Sequence, residues 1–217
     1  MAKIIELWQS YGPVYLGGLV GTLYLSIITI LFSTLLGLLI ALVRISKKRV
    51  LTALSSAYIW VIRGTPILLQ LYFFWLILPK ILSSKITDQT CILMALTINA
   101  SAFIAEVIRS GIQAVDQGQN EAGESLGMTR AHIFVKIILP QAFKNILPAL
   151  GNEYIAIMKE TSLASVFFVV ELTTAYKTVQ SATFLPIPSL TISGVIYLLL
   201  VALMSQLFRK VERRMAQ

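Results

Sequence analysis

Charge, cysteine and histidine are all scarce in this 217-residue chain. Only 13% of its residues are charged, against about 25% in soluble globular domains. A chain of this length still needs a wetted surface to live in water, so the shortfall excludes an ordinary soluble domain. The 57% hydrophobic share is at home in lipid. The single cysteine, Cys91, excludes an intrachain disulfide. The single histidine, His132, sits in a basic stretch and argues against a metal site. No GxxxxGK[ST] run is present, so the chain does not hold a nucleotide phosphate by itself. Neither an internal repeat nor an inverted pair of half-sequences is visible.

What is present is long apolar runs divided by short basic clusters. On a soluble protein the net charge of +8 would invite a nucleic-acid partner. Clustered between apolar runs, the same cations are the pattern that orients a membrane protein. Lipid is therefore the expected surroundings, and nucleic acid is not an expected partner.

A membrane-crossing helix needs about 20 mostly apolar residues. Leu16 to Val43 carries no charge and is about 42 Å long as a helix. Tyr11 and Tyr15 before it suit a headgroup boundary. Lys3 and Glu6 form too short a charged region, before too long an apolar segment, for a cleavable signal. The apolar run from Leu51 to Leu78 is broken by Arg63-Gly64-Thr65-Pro66. Pro66 lacks an amide donor and disfavours helix just before it, so a short helix should end near Arg63 and a span should run over 66–82. Further spans are expected at 91–107, 145–170 and 187–208, with a loop holding Lys177, Pro186 and Pro188 before the last.

The expectation is thus an all-α integral membrane protein, a single domain of five spans. Five spans put the termini on opposite sides. One set of loops holds Arg44, Lys47, Lys48, Arg49, Arg109, Arg130, Lys136, Lys144, Arg209, Lys210, Arg213 and Arg214. The other holds only Lys3, Lys80, Lys85 and Lys177. The positive-inside rule then places the N-terminus outside and the C-terminus in the cytoplasm. Residues 110–144 become the longest cytoplasmic loop.

Within that loop, Glu121 to Leu126 suits a short helix starting near Gln119 or Asn120. Acidic residues in the first turn favour the helix dipole, and Gly127 suits a left-handed stop. Ala122 and Leu126, four apart, share a face. Such a helix fits docking into a partner's groove or a solvated connector, and physics alone leaves the two open.

The spacing of Glu121-Ala122-Gly123, Gly127, Ile137 and Leu139-Pro140 resembles the EAA loop of ABC importer permeases. Arg63-Gly64-Thr65-Pro66 with Gln70, Phe103 to Ile112, and Lys159 to Leu163 resemble the polar amino acid branch, the histidine, glutamine and arginine type. The likeness runs from Gly12 to Arg213. One departure is Gly123, where the family usually has alanine; glycine costs about 1 kcal/mol of helix propensity and should loosen the helix. The resemblance implies a type I ABC importer permease fold in a bacterial inner membrane. It implies that Glu121, Ala122, Gly123 and Gly127 form a coupling helix for a cytoplasmic ABC ATPase, present in two copies and carrying the ATP and Mg. No cofactor is expected in this chain, which is a transport subunit and not an enzyme. A second permease chain, as a homodimer, and an extracytoplasmic amino acid-binding protein complete the implied assembly.

An ionisable residue in a span costs at least about 2.5–3.5 kcal/mol on insertion scales and is a functional hypothesis by default. Arg63, Glu106, Glu153, Lys159 and Glu160 qualify. Seven residues separate Glu153 from Glu160, so they share a face, whereas Lys159 points elsewhere. A zwitterionic amino acid needs a cation or amide donors for its carboxylate and an anion for its ammonium. Lys159, or a broken helix at Thr161-Ser162, fits the first, and Glu153 fits the second or a cationic side chain. Arg63 with Glu106 or Glu160 fits a buried structural or gating pair. Gln70 and Asn99 fit either pathway lining or interhelical glue. Gly17 and Gly21 form a GxxxG pattern that suits close helix packing. Two rival readings remain: an ion-gradient transporter, expected to show repeats, and a membrane scaffold whose charges only hold helices together.

Overall fold

The computed structural model describes residues 2–46, 48–82 and 85–216; Lys47, counted above among the clustered cations, lies outside them. Every regular element among the described residues is helical. In order they are α1 (Ala2–Ile45), α2 (Arg49–Gly64), α3 (Ile67–Ile81), α4 (Asp88–Gln113), α5 (Gly118–Ser125) and α6 (Arg130–Ile133). A π-helical stretch (Phe134–Ile138), α7 (Leu139–Glu160), a 3-10 helix (Thr161–Phe167), α8 (Leu172–Thr183) and α9 (Pro186–Ala216) follow.

Four of these runs are long and apolar enough to cross a membrane: α1, α4, the continuous run Arg130–Phe167, and α9. The α2–α3 pair, bent by 106°, makes a fifth if it is one span. Thr65 is extended at φ −119° and ψ 143°, as the ring of the following proline demands. The expected crossing over 66–82 is a helix of 15 residues, only about 22 Å long against a hydrocarbon core of about 30 Å.

Other boundaries also move. The span expected at 16–43 begins at Ala2, because exposed Lys3 and Glu6 sit on the helix without ending it. Tyr15, expected at a headgroup boundary, is 0% exposed, and its hydroxyl donates to the Ser189 carbonyl of α9. The span at 91–107 widens to α4, capped by the Thr87 side chain, which accepts from the Thr90 amide. The span at 145–170 starts earlier and changes to 3-10 geometry after Glu160. The last span, 187–208, reaches Ala216. Helices claim both ends of the loop drawn over 110–144, leaving 114–129 with α5 inside it. The loop around Lys177 is instead α8, whose Leu172, Ala175 and Val179 are buried.

Most of the buried face of α1 from Gly18 onward is made of small residues, with Leu25 the large exception. Gly18, Thr22, Ser26, Thr29, Ser33, Gly37 and Ala41 are buried, while Val20 and Leu39 are 65% and 60% exposed. Lipid solvates large apolar side chains as well as a core does, so small residues mark where helices meet. A Cβ on Gly37 would lie 2.8 Å from Ile104, which shows how closely α1 meets α4. The GxxxG expectation is corrected in one position. Gly17 faces open space, and it is Gly18 and Gly21 that back onto residues 170–175.

Candidate functional site

Three of the membrane-zone charges, Glu153, Lys159 and Glu160, lie on α7. Thr161 is fully buried, and its hydroxyl donates to the Met158 carbonyl at 2.7 Å. Such back-bonding competes with the helix ladder and bends helices, and α7 here gives way to the 3-10 turn. Lys159 is exposed and Ser162 half-buried. Both line a groove of about 410 Å³ whose other wall is Gly194, Tyr197, Leu198 and Val201 of α9. Half-buried Glu153 lies one α7 face away, within electrostatic reach of Glu160 and Arg63.

Arg63 makes neither of the pairings the sequence suggested. Glu106 is bound by Arg44 from α1 and by Arg109 one turn along α4. Arg63 instead stands 5.1 Å from the ring centre of Phe103, a cation–π arrangement. Arg44, Trp60, Arg63, Phe103 and Glu106 share a second groove of about 430 Å³.

Gln70 and Asn99 are buried and bonded to each other, Asn99 Nδ2 donating to Gln70 Oε1 at 2.9 Å. Gln70 Nε2 also donates to the Ile62 carbonyl and the Thr65 hydroxyl. The pair thus ties α4 to the carbonyls freed at the α2–α3 bend. Asn99→Leu leaves the Gln70 oxygen without its donor and is expected to cost about 1–2 kcal/mol. Thermal unfolding in detergent checks this, and an unchanged midpoint contradicts it.

Glu171 was missed in the sequence, where it closes an apolar run and passes for a span end. It is 0% exposed. Its carboxylate accepts from the Thr173 and Thr174 amides at the start of α8 and from the Tyr197 hydroxyl at 2.9 Å. The readable signal was an oxygen-bearing residue just ahead of Leu172, Ala175 and Val179, whose spacing fits the buried face of a capped helix.

At the opposite end of α7 stands α5, with Glu121, Ala122 and Leu126 exposed. Gly127 adopts φ 73°. Its amide bonds the Glu124 carbonyl while the Met128 amide bonds the Gly123 carbonyl, a Schellman stop that requires the left-handed residue. Gly123 has a packing role in this helix. It is buried, and a Cβ there would meet Ile133 at 2.7 Å, so glycine lets α5 seat on α6. The Leu139 amide reaches back five residues to Phe134. Gln141 Nε2 donates to both Ile137 O and Gln119 Oε1, fastening α5 to α7.

A family model for the binding-protein-dependent transport system inner membrane component matches residues 33–217. The arginine transport system permease protein ArtQ of Bacillus subtilis is 34% identical over 203 residues, covering 94% of this chain and 93% of that protein. The nopaline transport system permease protein NocM of Agrobacterium fabrum is 35% identical over 217 residues, covering 96% and 90%. A chain from a crystal structure of an amino acid ABC transporter with histidines superposes with a TM-score of 0.89 at 42% identity, covering 94% of this chain and 95% of that one.

Proposed function

Because this chain belongs to the family of binding-protein-dependent transport system inner membrane components, we propose that it is the permease subunit of an ATP-driven importer that carries a polar amino acid by alternating access. The observation that carries this reading is the whole-length likeness, in sequence and shape, to a chain of an amino acid ABC transporter. Membership makes it an integral membrane transport component; the driving chemistry belongs to other chains.

In this reading the cytoplasm holds α5 and the C-terminus, the N-terminus lies outside, and the membrane is a bacterial inner membrane. The exposed Ala122 and Leu126 on a helix seated by Gly123 and stopped by Gly127 suit docking into an ABC ATPase, two copies of which bring ATP and Mg. A second copy of the permease encloses the pathway, because Arg63 and Lys159 are exposed in a single chain and exposed cations are expensive in lipid. An extracytoplasmic binding protein delivers the amino acid. Lys159 and Ser162 hold its carboxylate, while Thr161, buried and bonded to the Met158 carbonyl, only shapes the helix end, and Glu153 holds a cationic group. Arg63, Glu106 and Glu160 set the wall and its gating, and Gln70 and Asn99 hold the α2–α3 bend.

Uptake by vesicles tests the assignment. Glu153→Gln is expected to lower the maximal uptake rate of cationic amino acids about tenfold, the loss of one charge-assisted bond, and to spare neutral ones. Lys159→Met is expected to lower uptake of both classes. Normal uptake of every class by both variants removes these residues from the site.

A further inference from the structure

Glu171 is a fully buried carboxylate with no part in the reading above, and its bonds lead to the Lys159 groove. Segment 170–172 is fixed from three sides. The Leu172 amide donates to the Thr22 hydroxyl of α1 at 3.1 Å, and its carbonyl accepts from the Ser193 hydroxyl of α9 at 3.0 Å. A Cβ on Gly21 would lie 2.1 Å from the Val170 carbonyl oxygen, so the α1 backbone presses on the segment directly. Held there, the carboxylate receives two amides of α8 and the Tyr197 hydroxyl. Tyr197 lines the groove that Lys159 and Ser162 line from the other element. Its far end is therefore tied behind the wall. From α8, Lys177 Nζ donates to the hydroxyl of Ser165 at 3.1 Å and bonds its carbonyl, bracing the 3-10 turn that carries Ser162.

We propose that Glu171 is a positioning residue for this groove: it fixes the Tyr197 wall from behind, and by capping α8 it fixes the helix that braces the wall bearing Ser162. A buried carboxyl group with several partners suits the task. A half-satisfied buried network is heavily penalised, so the tyrosine has one favoured place. The proposal rests on reading the groove as part of the amino acid path.

Tyr197→Phe, which removes only the hydroxyl, tests it in the intact permease–ATPase complex. Two readouts are taken. One is the modification rate of a cysteine placed by Ser162→Cys, in a Cys91→Ala background, by a polar thiosulfonate. The other is the affinity of the purified complex for L-arginine and L-glutamine without a binding protein. The freed wall is expected to speed modification about threefold and weaken affinity about fivefold, the order expected for one lost hydrogen bond. A merely structural hydroxyl lowers the thermal midpoint and moves neither readout. Glu171→Gln is expected to shift both in the same direction; should it fail to fold, Tyr197→Phe decides alone. An unchanged thiol rate overturns the proposal, and so does a faster rate with unchanged affinity. If the unmodified complex binds neither amino acid, the reading of this groove as their path falls, and the thiol rate alone decides the positioning claim.

Discussion

Gly21→Ala is expected to destabilise the protein severely, whereas Gly17→Ala, in the same motif, is expected to do no harm. The added methyl at position 21 would lie 2.1 Å from the Val170 carbonyl oxygen and 2.9 Å from its carbon. These are backbone atoms, fixed in turn by the Thr22 and Ser193 bonds to Leu172, so no rotamer change relieves the clash. Overpacking a tight interior costs about 1–3 kcal/mol or more, and the rigid opponent here places Gly21→Ala at about 3 kcal/mol. At about 2–4 °C per kcal/mol for a chain of this size, the midpoint should fall by about 6–12 °C. At position 17 a Cβ meets nothing within 4 Å, and alanine has the better helix propensity by about 1 kcal/mol. Thermal unfolding of both variants in one detergent checks the contrast. Equal midpoints contradict the packing of α1 on residues 170–175.

Leu126→Asp is expected to abolish ATP-driven uptake while leaving the fold intact. Leu126 is 80% exposed, so its replacement disturbs little of the chain's own packing. If α5 docks in an ATPase groove, a buried apolar anchor becomes a buried charge. Loss of such an anchor costs about 2–4 kcal/mol of association, roughly 30-fold to 1000-fold in affinity. The ATPase should no longer co-purify, and uptake should fall about 30-fold to 1000-fold by the same arithmetic. A circular dichroism melt matching the unmodified chain separates lost docking from lost folding. Normal co-purification contradicts the role given to α5.

The long apolar helices were legible because lipid demands an unbroken apolar stretch, and charge-free runs such as Leu16–Val43 announce it. The α2–α3 bend was legible at Pro66, whose ring dictates the extended Thr65. The stop at Gly127 was legible because a left-handed residue is needed after the helix. Helix ends were not legible, since exposed charges such as Lys3 and Glu6 sit within a helix without stopping it. Nor was α8. Its polar residues and the nearby prolines mimic a loop, although the Leu172, Ala175 and Val179 spacing was there to be found. In the site, the shared face of Glu153 and Glu160 followed from helical period alone. The pairing of Glu106 with Arg44 did not: Arg44 lies 62 residues away on α1, and only the packing of α1 on α4 brings the two together. Glu171 was hidden for the opposite reason. Its sequence neighbours are ordinary, and its burial comes from α1 and α9, distant in the chain.

The central claim is that ATP turnover on partner chains drives amino acid movement through this permease. Proteoliposomes holding this chain with its ATPase, supplied with a binding protein and labelled L-arginine, L-glutamine and L-aspartate in turn, measure it directly. The account predicts accumulation of an amino acid that requires ATP inside the compartment of the ATPase, persists when ion gradients are dissipated, and is accompanied by stimulated ATP turnover. Accumulation driven by a sodium or proton gradient in the absence of ATP would contradict it.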